Sequence, residues 1–158
     1  PMKGKRVVAR ACTDPAYKGG LLEEGVAAMA DVVDIGDDII DVEVVENTPT
    51  IHNLVVCTLC SCYPWAVLGL PPTWYKSPAY RSRAVRRPRE MLREDFDCEV
   101  PDPVEIEVWD SNSELRYMVL PQRPPGTEDL SEDELVDLVT RDAMVGVERL
   151  GISATPTP

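Results

Sequence analysis

The chain has 158 residues, 44% hydrophobic and 28% charged, enough for one domain with a sizeable core. A formal charge of −12 argues against nucleic acid or an anionic membrane as partner, and no apolar run approaches the roughly 18 residues of a membrane span. Five cysteines, an odd number with three crowded into residues 57–62, oppose a secreted disulfide scaffold; with no signal-peptide series, a cytoplasmic location is expected.

Pro1 precedes Met2, and Met2 reads as the natural start. Residues 3–11 are expected to be helical. Asp14-Pro15 opens a second helix, because Asp14 can cap and Pro15 suits the first turn. Leu21, Leu22, Val26, Met29 and Ala30 recur at helical spacing, with Gly25 as a break. Residues 31–41 are acidic and carry Gly36, so they read as a loop. Strands are expected over 42–46 and 51–56, joined by the turn-forming Asn47-Thr48-Pro49-Thr50. Gly69, Pro71 and Pro72 predict an irregular segment. Ser77-Pro78 starts a helix through about Arg87, and Pro88 ends it or begins a turn through about Arg93. Val104, Ile106 and Val108 alternate with Glu105 and Glu107, which predicts a half-exposed strand over 104–109. A further strand covers 115–120, with a turn at 110–113 between them. Ser131 and Glu134 form a capping box for a helix whose apolar side carries Leu135, Leu138 and Val139. Residues 2–152 form a single domain, and 153–158 read as a disordered tail. Helix, strands, helix, strands, helix in that order predicts an α+β fold.

The chemistry is concentrated in Cys57-Thr58-Leu59-Cys60-Ser61-Cys62. So short a loop can turn its thiols toward one point, which is the requirement of a metal site. Structural zinc would need a fourth ligand from His52, Cys12 or Cys98, none at a recognisable spacing. A redox pair of Cys57 and Cys60 would leave Cys62 unexplained, and an iron–sulfur cluster wants about four thiolates. A trivalent ion is a third reading. Cys60 and Cys62 flank the peptide nitrogens of Ser61 and Cys62, which on losing their protons would complete a square of two sulfurs and two nitrogens. Cys57 would supply an axial sulfur and one position would stay open. Such donors favour Co(III) or Fe(III), and an open position on a Lewis-acidic ion is a hydrolytic site.

These residues resemble the metal claw of the nitrile hydratase alpha-subunit family, cobalt type. The likeness extends to Val45-Glu46-Asn47-Thr48, His52-Asn53-Leu54, Trp65, the run Leu68–Ser77, Tyr80-Arg81, Pro88-Arg89, the run Arg116–Pro124 and Gly126-Thr127-Glu128. It implies an α+β chain, strands packed between helices, that hydrates a nitrile to an amide beside a β-type subunit, with cobalt delivered by an activator protein. It implies Cys57, Cys60, Ser61 and Cys62 as metal ligands, Cys60 as a sulfinate and Cys62 as a sulfenate. It also implies Arg116 close to the claw and Trp65 as pocket wall and core. Thr58 is the residue of cobalt-type members, with Fe(III) the alternative. The sulfenate of Cys62 or a hydroxide on the metal would be the nucleophile.

The N-terminal helical arm of the family pattern is expected to be missing, which points to three-subunit relatives in which β is split in two, such as the hydratase acting on toyocamycin and thiocyanate hydrolase. Thiocyanate hydrolysis, or a metal-carrying subunit inert without its partners, is therefore the rival reading. Ala66, Arg87 and Cys12 replace a common proline, glutamate and tryptophan. His52 is expected to pack or hydrogen-bond at a strand edge, Trp74 and Tyr75 to serve core or interface, and Cys12 and Cys98 to be small buried thiols. Lys76, Arg81, Arg83, Arg86, Arg87, Arg89 and Arg93 form a basic run. It reads as a solvated helix face, a surface for an acidic partner, or a shell around an anionic site.

Overall fold

The computed structural model describes residues 2–36, 40–59 and 61–151. Three helices lead: α1 (Lys3–Thr13), α2 (Pro15–Glu24) and α3 (Val26–Ala30). The Asp14 side chain accepts from the Tyr17 N–H and Pro15 sits at the start of α2, as the sequence predicts. Gly25 divides α2 from α3 at φ +34, where a Cβ would stand 2.2 Å from the Val42 carbonyl oxygen. That close approach seats the helical pair against the strand that follows.

Four strands carry the centre: β1 (Asp41–Glu46), β2 (Ile51–Val56), β3 (Glu105–Asp110) and β4 (Leu115–Leu120). Consecutive strands do not form hairpins. β1 runs parallel to β4, with Val44 opposite Met118, and β2 runs parallel to β3, with Leu54 opposite Val108. Two buried asparagines stitch the ladders together. The Asn47 N–H donates to the Leu120 carbonyl at 2.9 Å, and the Asn47 side-chain oxygen accepts from the Asn53 N–H at 2.7 Å. The Asn53 amide then donates to the Glu46 carbonyl at 2.8 Å and its oxygen accepts from the Trp109 indole at 2.8 Å. The two side chains thus tie the β1–β4 ladder to the β2–β3 ladder and satisfy their own buried polar atoms.

Between β2 and β3 lie α4 (Trp65–Leu68), a 3-10 turn (Thr73–Lys76), α5 (Pro78–Arg86) and α6 (Pro88–Phe96). Ser77 caps α5 by accepting from the Tyr80 N–H, and Pro88 begins α6 instead of only ending its predecessor. After β4 come α7 (Glu132–Val136) and α8 (Arg141–Val145). The capping box of Ser131 and Glu134 is present. Leu138, expected on the apolar side of that helix, lies beyond its end and is exposed, while Val139 is buried. The core runs from Val7, Val8 and Leu21 through Val44, Leu54, Met118 and Met144 to Met91 and Leu92. Mixed helix and strand is the α+β architecture read from the sequence. Among the described residues no helix is long and apolar enough to cross a membrane. The expected tail, 153–158, lies outside the described residues.

Candidate metal centre

The cysteine loop leaves the C-terminal end of β2 and returns toward α4. Its first residue, Cys57, is fully buried, and Cys62 is 8% exposed. Cys60 lies outside the described residues, so the third thiol of the sequence reading has no position here. Ser61 is half-buried.

Both ends of the loop are held from outside it. At the start, Asp110 at the end of β3 accepts from the Thr58 N–H at 2.9 Å and from the Thr58 hydroxyl at 2.6 Å. The next residue, Ser111, donates its N–H to the Val56 carbonyl at 2.7 Å, closing the β2–β3 ladder under the loop. At the far end, the Tyr75 phenol donates to the Cys62 carbonyl at 2.8 Å. The Arg116 guanidinium donates to the Tyr63 carbonyl at 3.1 Å. Behind the loop, the Tyr80 phenol donates to the Val55 carbonyl at 2.7 Å. Tyr63, Tyr75, Tyr80, Trp74 and Phe96 meet edge to face or tilted, with ring centroids between 4.8 and 6.3 Å apart. Edge-to-face packing suits the aromatic quadrupole and leaves the Tyr75 and Tyr80 phenols free to reach backbone oxygens.

In front of the loop is a cleft of about 340 Å³ lined by Ser61, Cys62, Tyr63, Trp65, Leu70, Pro71, Lys76 and Arg116. Arg116, far from Cys62 and Trp65 in sequence, thus shares one wall with them. Trp65 is 56% exposed, so it is wall and not core, which corrects half of its expected role. Leu70 is exposed beside it.

A second cleft, about 380 Å³, opens where α1 and α2 meet the ends of β1 and β4, and it is lined by Cys12, Lys18, Glu46 and Arg123 among others. Its charges are already spent: Lys18 pairs with Glu46, and Arg123 donates to the Cys12 and Thr127 carbonyls. Cys12 is only half-buried, unlike the expectation, whereas Cys98 is buried and its thiol is pushed up to about 11 by desolvation.

His52 is buried on β2 with its Nε2 at 2.6 Å from the Gly146 carbonyl, the hydrogen-bonding role expected of it. Neither it, Cys12 nor Cys98 comes to the cysteine loop as an extra ligand: among the described residues no three His, Cys, Asp or Glu side chains gather at one point. The described part of the loop offers two buried sulfurs and no carboxylate or imidazole. That donor set suits a soft or borderline transition metal over calcium or magnesium. Asp110, Tyr75 and Tyr80 were not singled out as loop anchors in the sequence. Asp110 stands 52 residues from Thr58, and no local spacing marks such a contact.

The profile of the family described as nitrile hydratase, alpha chain, matches residues 1–148. The cobalt-containing nitrile hydratase subunit alpha of Pseudonocardia thermophila is 56% identical over 148 residues, 94% of this chain and 72% of its own length. The thiocyanate hydrolase subunit gamma of Thiobacillus thioparus is 44% identical over 158 residues, covering 93% of this chain and 65% of that protein. Among solved structures, a double mutant of the Fe-type nitrile hydratase of Comamonas testosteroni Ni1 superposes with a TM-score of 0.90 at 43% identity, over 99% of this chain and 76% of that one. A recombinant thiocyanate hydrolase with partially modified cobalt centres gives 0.88 at 42% identity, over 100% of this chain and 79% of that one.

Proposed function

The chain belongs to the family of nitrile hydratase alpha chains, and from that premise we propose that it is the metal-bearing subunit of a cobalt nitrile hydratase, converting a nitrile to its amide. The observation that carries the reading is the pair of buried thiols, Cys57 and Cys62, on a loop anchored at both ends and opening onto a cleft. Cys57, Cys60 and Cys62 with the amides of Ser61 and Cys62 would hold the ion, Cys60 as sulfinate and Cys62 as sulfenate. Bound there, Co(III), or Fe(III) as the alternative, supplies Lewis acidity.

The chain's own residues do the rest. Trp65 and Leu70 give the organic part of a nitrile an apolar wall. Arg116, tethered through the Tyr63 carbonyl, places a fixed positive charge on the same cleft, where it can hold anionic sulfur oxygens and stabilise negative charge that develops on substrate. Asp110 and Tyr75 hold the loop so that its thiols need not be reorganised on each turnover.

The cleft is open on one side, which a β-type subunit or two split β-like subunits would close; an activator protein would load the metal, in the cytoplasm. Co-expression with those subunits in cobalt medium, followed by assay against aliphatic, aromatic and nucleoside nitriles, tests the reading. Amide formation supports it. A cobalt-loaded complex that forms no amide from any nitrile overturns it. Lys76 and Arg116 on one cleft also suit a small anion, so thiocyanate belongs in the same assay, and carbonyl sulfide and ammonia from it would assign the hydrolase instead.

A further inference from the structure

Tyr75 is fully buried, yet it keeps a hydroxyl that a phenylalanine would fill the space without. A buried phenol is costly unless its O–H is satisfied, and this one donates to the Cys62 carbonyl at 2.8 Å. Cys57, Ser111, Tyr63 and Cys62 all act electrostatically on the same phenol, so it lies within reach of both described thiols. Its ring is held edge-on by Tyr63 at 4.9 Å and tilted against Tyr80 at 5.8 Å, which fixes where its oxygen sits. With its carbonyl fixed, Cys62 has its backbone orientation set, and little beyond side-chain rotation remains to aim the sulfur.

Resting on the metal-centre reading above, we propose that Tyr75 is a positioning residue of the cysteine loop, whose hydroxyl fixes the Cys62 backbone and thereby governs how firmly the metal is retained. Tyr80 provides the internal contrast. Its phenol makes an equally short bond, 2.7 Å, but to the Val55 carbonyl inside β2, before the loop begins.

The experiment uses the full complex made in cobalt medium, with Tyr75→Phe and Tyr80→Phe compared to the parent. Thermal midpoint, cobalt per chain, the sulfur-to-cobalt absorption band and the rate of cobalt release to EDTA are measured. Both variants are expected to lose a few degrees. Tyr75→Phe alone is expected to shift the band and to release cobalt about tenfold faster, the factor given by roughly 1.4 kcal/mol of lost restraint. Release at the parental rate from Tyr75→Phe overturns the proposal, and so does equal acceleration in both variants, which would mark a stability effect. Should Tyr75→Phe not accumulate, Ser111→Ala loosens the same phenol from its other neighbour, and an unchanged release rate there overturns it equally. A parent complex that takes up no cobalt would sink the metal-centre reading itself, whereas a parent and a Tyr75→Phe variant that hold cobalt alike would sink only this inference.

Discussion

A single carboxylate does two jobs at the start of the cysteine loop. Asp110 accepts from both the backbone and the hydroxyl of Thr58, a pair of bonds that closes the first turn after β2. Both residues face solvent, so the stability at stake is modest: Asp110→Ala should cost about 1 kcal/mol, and Asp110→Asn less because one acceptor oxygen survives. The sharper consequence is local. Asp110→Ala should lower the cobalt content of the assembled complex by more than its loss of thermal midpoint would account for, measured by elemental analysis beside calorimetry. Unchanged cobalt content would remove Asp110 from any part in loop geometry. His52 illustrates the opposite case, a residue whose chemistry belongs to the fold. Burial lowers its affinity for a proton below the usual 6.5, and the nearby charges of Arg149 and Arg89 push the same way, against the raising effect of the Gly146 carbonyl. The unfolded chain therefore binds a proton that the folded chain resists. Stability from this site is complete above pH 6.5 and is lost as pH falls below it toward the lowered folded value. The unfolding free energy from urea titration should drop between pH 7 and 5.5, with a slope of up to about 1.4 kcal/mol per pH unit. His52→Gln should flatten that segment of the profile. Glu132, whose proton affinity is lowered by Arg10 and then Arg6, loses its contribution only as pH falls below its usual 4.5, so the two windows separate. A slope that survives in His52→Gln would show that another group carries it.

Helices were legible where a proline or a capping box marks the first turn. Asp14-Pro15, Ser77-Pro78 and Ser131 with Glu134 are local signals, and each caps a helix as read. The strands were legible from alternation, although β3 begins at Glu105 and includes Asp110, one residue later than expected at both ends. How the strands pair was not legible. Parallel ladders join β1 to β4 and β2 to β3 across the helical segment, and parallel pairing leaves no turn motif to read. The short elements, α4 with four residues and α8 with five, also escaped, because one helical turn shows no periodicity. The cysteine loop was legible as a cluster and as a family likeness, but its anchors come from residues whose types, tyrosine and aspartate, are unremarkable at their own positions. Gly146 shows how α8 is locked to β2. It ends that helix at φ +104, and a Cβ there would stand 2.2 Å from the Asn53 carbonyl oxygen and 2.9 Å from the Leu54 Cα. Both are backbone atoms of a central strand and cannot step aside. Its own carbonyl is also the partner of His52. Gly146→Ala should therefore cost about 3 kcal/mol or more, combining backbone strain with overpacking. A loss below about 1 kcal/mol by denaturant titration would mean that α8 can shift away from β2 without penalty.

Charge is the property that belongs to the molecule as a whole. The chain carries 28 acidic against 16 basic residues, and seven of the basic ones lie between Lys76 and Arg93, where Glu90 is the single acid. Part of that basic run is absorbed by the fold: Arg83 pairs with Glu94 and Asp95, Arg87 with Glu90, and Arg89 donates to the carbonyls of Val100, Pro101 and Val104. The remaining surface is left with a dense acidic excess, and a net charge of −12 on 17.5 kDa repels itself. Salt acts on both sides of this balance. It weakens the ion pairs of Arg6 and Arg10 with Glu132 and Asp133, but those side chains are open to water, which already screens each pair to a small contribution. It also screens the long-range repulsion, which involves every surplus carboxylate and extends beyond the roughly 10 Å Debye length reached at 0.1 M. Repulsion has the larger count of terms, so the balance favours salt. The thermal midpoint of the isolated chain should rise by roughly 3 °C between 20 mM and 0.3 M sodium chloride, flattening once screening saturates. A midpoint that falls steadily over that range would show that the local pairs, and not the acidic excess, dominate the electrostatics of the fold.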